Sequence, residues 1–105
     1  DVEKVADMTF KCLKDCVPAE VGCIAFLSGG QSSDLATEHL NCMNNKYSND
    51  MPWNLTFSYG RALQHDALNA WRGEKWDEGQ QAFLSRAKSN SLATYGKLNE
   101  TVELE

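Results

Sequence analysis

Apolar positions in the first seventeen residues recur at helical spacing: Val2, Val5, Thr9, Cys12 and Cys16, with Lys and Asp between them. That spacing predicts one amphipathic helix, and Pro18 stops it. The period then changes. Gly22-Cys23-Ile24-Ala25-Phe26-Leu27-Ser28 is apolar on both alternations, which predicts a strand covered on both faces in a parallel sheet, ending at Gly29-Gly30. Ser32, Ser33 and Asp34 offer N-caps for a second helix, whose stripe of Leu35, His39, Leu40 and Met43 runs to about Asn44. A polar connector from Asn44 to Pro52 leads into a shorter strand, Asn54 to Ser58. After Tyr59-Gly60, the positions Arg61, Leu63, Leu68 and Trp71 predict a third helix that Gly73 closes. A fourth is predicted from about Asp77 to Tyr95, with Phe83, Leu84, Ala87, Ser91 and Tyr95 on one side and Gly96 as its C′ cap.

The order is helix, strand, helix, strand, helix, helix, an α/β pattern of two consecutive strand-helix units. Parallel strands joined by a right-handed crossover lie side by side, so both strand-to-helix turns face one edge of the sheet. Those turns read Leu27-Ser28-Gly29-Gly30-Gln31-Ser32 and Ser58-Tyr59-Gly60-Arg61. Glycines there allow backbone N-H groups to point into a cleft, a helix N-terminus adds partial positive charge, and serine hydroxyls add donors. Arg61 opens a helix, where its charge opposes the helix dipole, and a negative ligand beside it would account for that position. The plain alternative for Ser28-Gly29-Gly30 is a tight connecting turn with no ligand. A phosphate site built by the loops after the last two strands recurs in eight-stranded α/β barrels, which favours the anion reading of the pair.

Composition narrows the partners. The chain has 105 residues, 42% hydrophobic and 24% charged, which suits one globular unit. Its net charge of −5 disfavours nucleic acid and anionic membrane, both of which reward a basic face, so an anion must be bound locally. No apolar run nears the roughly 18 residues of a membrane span, and Asp1 to Asp7 lack the layout of a secretion signal, so no membrane and no export are expected. Cys12, Cys16, Cys23 and Cys42 form no CxxC pair and are expected to be free, buried thiols and not a zinc site. The sequons Asn54-Leu55-Thr56 and Asn99-Glu100-Thr101 read as chance, and the acidic ending from Glu100 to Glu105 as a solvated tail. His39 and His65 are expected to pack or to face solvent, since neither has a nucleophile partner at suitable spacing. Trp71 is expected to pack a helix onto the barrel, and Trp53 to flank the connector.

Phe26-Leu27-Ser28-Gly29-Gly30-Gln31-Ser32 and Pro52-Trp53-Asn54-Leu55-Thr56-Phe57-Ser58-Tyr59-Gly60-Arg61-Ala62-Leu63-Gln64 resemble the closing strands of class I fructose-bisphosphate aldolases. The likeness continues through Ala70-Trp71, Arg86-Ala87-Lys88, Asn90-Ser91-Leu92-Ala93 and Tyr95-Gly96-Lys97. It implies a (β/α)8 TIM barrel of which residues 1–105 are a partial single domain: the sixth helix, then strands seven and eight with their helices. By motif position it implies that Ser28, Gly29 and Gly30 bind a substrate phosphate and that Ser58, Gly60 and Arg61 complete the site, Arg61 as the cation. The implied activity is cleavage of fructose 1,6-bisphosphate to dihydroxyacetone phosphate and glyceraldehyde 3-phosphate through a lysine Schiff base. It implies no metal and no cofactor, a cytoplasmic homotetramer, and the rest of the aldolase chain as partner.

The family's Schiff-base lysine stands on the strand before the helix at residues 1–17, outside this sequence, so no catalytic residue and no activity are expected of this segment alone. Lys4, Lys11, Lys14, Lys88 and Lys97 fall on helices or at their ends, and Lys46 and Lys75 in connectors, all expected to be solvated. The family's extension ends in a tyrosine that reaches the active site, whereas this chain reads Thr101-Val102-Glu103-Leu104-Glu105. A non-catalytic barrel remnant that binds a sugar phosphate or a protein is the alternative. Two strands also leave sheet edges open, so the chain alone is not expected to form a stable monomer.

Overall fold

The computed structural model describes residues 1–98 and contains helix α1 (Val2–Cys16), strand β1 (Cys23–Phe26), helix α2 (Ser33–Tyr47), strand β2 (Asn54–Phe57), helix α3 (Arg61–Trp71) and helix α4 (Trp76–Thr94). The Asn99 sequon and the acidic ending lie outside the described residues. Helix starts follow local chemistry: the Asp1 carboxylate accepts from the Glu3 amide at 3.1 Å, and Ser32 Oγ accepts from the Leu35 amide at 3.1 Å. Each such cap is worth about 1 kcal/mol.

The strands are parallel and adjacent, with Cys23 opposite Asn54, Ile24 opposite Leu55, Ala25 opposite Thr56 and Phe26 opposite Phe57. Leu55 is buried, and Ile24, Phe26 and Phe57 join it against a core of Ala6, Leu40, Met43, Trp53 and Ala93. A fully buried leucine such as Leu40 contributes about 2 kcal/mol. The sequence predicts cover on both faces of β1, and this is corrected: Cys23 and Ala25 are exposed, because the helices pack on one side only.

The same asymmetry corrects the thiol and stripe assignments. Cys12, Cys16 and Cys23 are free but exposed, and Cys42 is half-buried. On α1 the inward positions are Ala6, Leu13 and the following Val17, whereas Val5, Cys12 and Cys16 face outward. On α4 the buried residues are Gly79, Asn90 and Ala93, while Phe83, Leu84, Ser91 and Tyr95 are exposed. Both helices carry two apolar or small-residue stripes, and periodicity cannot say which of two stripes meets the sheet.

Helix α2 runs to Tyr47, beyond the predicted end, because Asn44 and Asn45 act across the fold instead of breaking the helix. Buried Asn44 Nδ2 donates to the Leu55 carbonyl at 3.2 Å and to the Ala93 carbonyl at 3.0 Å, and Asn45 Nδ2 donates to the Gly96 carbonyl at 3.0 Å. Lys46, expected solvated in a connector, stands on this helix and pairs with Glu3 at 2.9 Å and Asp7 at 2.7 Å. Asp7 also accepts from Tyr47 Oη, whose ring stacks on Phe10.

The α4 end bears out the C′ glycine. Gly96 has φ +69°, its N-H donates to the Ala93 carbonyl at 3.1 Å, and the Lys97 N-H donates to the Leu92 carbonyl at 3.0 Å, which is the Schellman pattern. Trp53 is buried, its Nε1 donating to the Pro18 carbonyl at 2.9 Å. Trp71 packs against α4 at Gly79, where an added Cβ would stand 2.8 Å from Trp71 Cβ.

Candidate functional site

The two strand-to-helix corners lie side by side. Beyond the last ladder pair, the Ser58 N-H donates to the Phe26 carbonyl at 2.7 Å, so the chains leave the sheet together. In the first corner Ser28 is buried, and its carbonyl accepts from the Gln31 N-H at 3.0 Å. The two central residues of that turn, Gly29 and Gly30, have φ +56° and +96°, the paired positive values of a type I′ turn that only glycine adopts freely. The turn therefore explains both glycines by itself. Their amides find no acceptor among the described residues.

The second corner is held from below. Tyr59 is buried and its hydroxyl donates to the Ala36 carbonyl at 2.9 Å, which ties the start of α3 to the first turns of α2. Burial pushes the Tyr59 phenol up to about 12. Gly60 is the N-cap residue of α3 and supplies no side-chain cap, so the first amides of that helix are left to other partners.

Between the corners lies a cleft of about 290 Å³ lined by Gly30, Gln31, Ser32, Ser33 and Asp34 from one side and Arg61, Ala62, His65 and Asp66 from the other. Of the six residues expected to hold the phosphate, Gly30 and Arg61 line this cleft, while Ser28, Gly29, Ser58 and Gly60 belong to the turns beside it. Arg61 is exposed and has no hydrogen-bond or ion-pair partner among the described residues. Ser33 is buried, and its Oγ has no partner among the described residues. His65 is exposed on the cleft wall, with Nε2 at 3.1 Å from Asn69 Nδ2.

Sequence reasoning missed Arg86. From α4 its Nη2 reaches Asp34 Oδ1 at 2.6 Å and Asp66 Oδ2 at 3.2 Å, and its Nε donates to the same Asp66 oxygen at 3.3 Å. Nη1 donates to Thr37 Oγ1 at 3.0 Å, and Thr37 Oγ1 lies 2.6 Å from Asn90 Oδ1. Helices α2, α3 and α4 thus meet at one guanidinium. Nothing in the local pattern signals it, since the acids stand 52 and 20 positions away.

Among the described residues no three His, Cys, Asp or Glu side chains gather as a metal site, and no helix is long and apolar enough to cross a membrane.

Comparison with known proteins gives this arrangement a family. The family model "Glycolytic: Fructose-bisphosphate aldolase class-I" matches residues 1–105. The chain is 52% identical over 96 residues to cytosolic fructose-bisphosphate aldolase 4 of Arabidopsis thaliana, covering 90% of this chain and 24% of that protein. It is 50% identical over 105 residues to chloroplastic fructose-bisphosphate aldolase 3 of the same plant, covering 98% and 26% respectively. Fructose-bisphosphate aldolase from Plasmodium falciparum, solved in complex with TRAP and a small-molecule inhibitor, superposes with a TM-score of 0.85 at 44% identity over 92% of this chain and 28% of that one. The chain spans about a quarter of the length of these curated relatives. With an α/β fold like that of a solved aldolase and a family match along its whole length, the chain belongs to the class I fructose-bisphosphate aldolases.

Proposed function

We propose that this chain supplies the phosphate grip of a class I fructose-bisphosphate aldolase, as the sixth helix and strands seven and eight of a (β/α)8 barrel. Residues 1–105 are then one part of a single domain. The observation that carries the reading is the shared cleft: the Gly30–Ser33 corner and the unclaimed guanidinium of Arg61 line one opening at the C-terminal edge of two parallel strands. That edge is where α/β barrels bind substrate. Two further features support it. The helices cover one face of the sheet and leave Cys23 and Ala25 open, the division a barrel requires between its outer ring and its interior. The free Gly29 and Gly30 amides give an anion backbone donors at the first corner.

In this reading Ser28, Gly29, Gly30, Ser58, Gly60 and Arg61 hold one phosphate of fructose 1,6-bisphosphate or of dihydroxyacetone phosphate. The charge of Arg61 neutralises it, and the turn amides fix its orientation. A Schiff-base lysine from outside this chain cleaves the carbon-carbon bond, within a cytoplasmic homotetramer that needs no cofactor. This segment alone turns over no substrate.

The test is titration of the chain with dihydroxyacetone phosphate and with inorganic phosphate, followed by amide chemical shifts. Saturable shifts at Gly29, Gly30 and the first turn of α3 are expected. Loss of one charge-assisted contact costs about 1.5 to 3 kcal/mol. Arg61→Ala should therefore weaken binding roughly tenfold to a hundredfold. A chain shown to be folded by its amide spectrum that binds neither ligand, or an Arg61→Ala variant that binds as well as the parent, overturns the proposal.

A further inference from the structure

The geometry points to Arg86 as a positioning residue that keeps Arg61 available to the phosphate by sequestering the two acidic side chains of the cleft. The inference rests on the phosphate reading above and deepens it.

An anion pocket lined by two carboxylates is an electrostatic contradiction. Asp34 and Asp66 line the same cleft as Gly30 and Arg61, so two negative charges stand on its walls with one positive charge beside the proposed grip. Left alone, either acid would repel the phosphate or claim the Arg61 guanidinium as its own ion pair. Neither does so. Both carboxylates are engaged by Arg86, Asp34 at 2.6 Å and Asp66 at 3.2 Å, while Arg61 keeps no partner among the described residues.

The two arginines differ in exposure as their roles demand. The Arg86 side chain is only 13% exposed, anchored by Thr37 Oγ1 and by the Ser33 carbonyl at 3.4 Å, whereas Arg61 is open to solvent. Arg86 reaches the cleft from behind, on α4, and cannot itself meet a ligand as freely as Arg61. A guanidinium suits this task because its fork can hold two acids at once, and a lysine ammonium, a point charge without fixed directions, holds them less well. The same contacts fix the first turn of α2 against α3, and with them the separation of the two corners.

The test uses the full chain, inorganic phosphate as probe, and four variants compared with the parent. Arg86→Gln is expected to weaken phosphate binding by roughly threefold to tenfold, the range of a weak ion pair regained at Arg61 plus repulsion from the freed acids. Arg86→Lys should fall between the two. The decisive variant is R86Q/D34N/D66N, which removes the acids together with their keeper and should return to within about twofold of the parent. A merely structural brace would not be rescued this way, because the triple variant has no brace left. D34N/D66N with Arg86 intact should bind at least as tightly as the parent, and the intermediate loss in Arg86→Lys decides the matter if Arg86→Gln does not fold. Arg86→Gln binding like the parent, a triple variant as weak as Arg86→Gln, or a loss of binding in D34N/D66N would each overturn the inference. A parent chain that binds no phosphate defeats the proposed function itself. A parent whose binding is lost in Arg61→Ala but untouched in Arg86→Gln defeats only this one.

Discussion

Gly96 meets two demands that can be separated by experiment. Its φ of +69° is the left-handed conformation of a C′ residue, and its backbone passes so close to α2 that an added Cβ would stand 2.6 Å from the Asn45 nitrogen, 2.7 Å from Asn45 Cα and 2.8 Å from the Asn44 carbonyl carbon. All three are main-chain atoms of a packed helix, which cannot rotate aside as a side chain would. In Gly96→Ala the left-handed alanine costs about 1 to 2 kcal/mol. Forcing α2 and α4 apart adds about 1 to 3 kcal/mol more. Gly73 is the control: its φ is +76°, but nothing lies within 4 Å of its missing Cβ, so Gly73→Ala bears only the conformational part. The gap between the variants should therefore be about 1 to 3 kcal/mol, or a urea midpoint lower by roughly 1 M for Gly96→Ala at the slopes of small proteins. The assay is urea unfolding followed by far-UV circular dichroism at matched protein concentration, since an associating chain melts at a concentration-dependent midpoint. Equal midpoints for the two variants would refute the close approach of the α4 terminus to Asn44 and Asn45.

Other outcomes follow from the same contacts. Burial holds His39 below its ordinary value of 6.5, so the unfolded chain binds its proton more readily and stability should fall as pH drops through about 6.5 and below; a pH series of melts on His39→Gln should lose that slope. Hydrogen bonds from Lys46, and then Tyr47, hold the Asp7 carboxyl below 3.8, so the α1–α2 clasp is intact above that pH and is lost as acid protonates Asp7. Asp7→Asn should flatten this acid limb, and an unchanged limb would remove Asp7 from the account. Tyr59→Phe, which deletes the bond to the Ala36 carbonyl, should cost about 1 kcal/mol and weaken phosphate binding without changing helix content by circular dichroism. The uncovered sheet face and the exposed Leu68, Trp76, Phe83 and Leu84 should make the chain self-associate, and a cooperatively folded monomer in sedimentation would contradict this.

How far the sequence could be read depended on the range of the interaction behind each feature. Element order, the parallel pairing of two strands and the C′ role of Gly96 are set within a few residues by period, glycine and capping, and all were legible. The inward faces of α1 and α4 were not, because Val5, Cys12 and Cys16 form as good a stripe as Ala6, Leu13 and Val17, and only the position of the sheet distinguishes them. Asn44 and Asn45 read as a loop because asparagine usually closes helices locally, yet here their amides bond to backbone 11 to 51 positions away. The cleft divides in the same way. Its glycine turn and Arg61 stand next to strand ends and announce themselves, whereas the contacts that hold its walls, from Tyr59 beneath one corner and Arg86 behind both, reach partners 20 to 53 positions distant. A motif names the groups that touch a ligand, and long-range contacts decide whether those groups are free to do so. For the proposed grip the second condition turns on one observation, that Arg86 is occupied by Asp34 and Asp66 while Arg61 has no partner among the described residues.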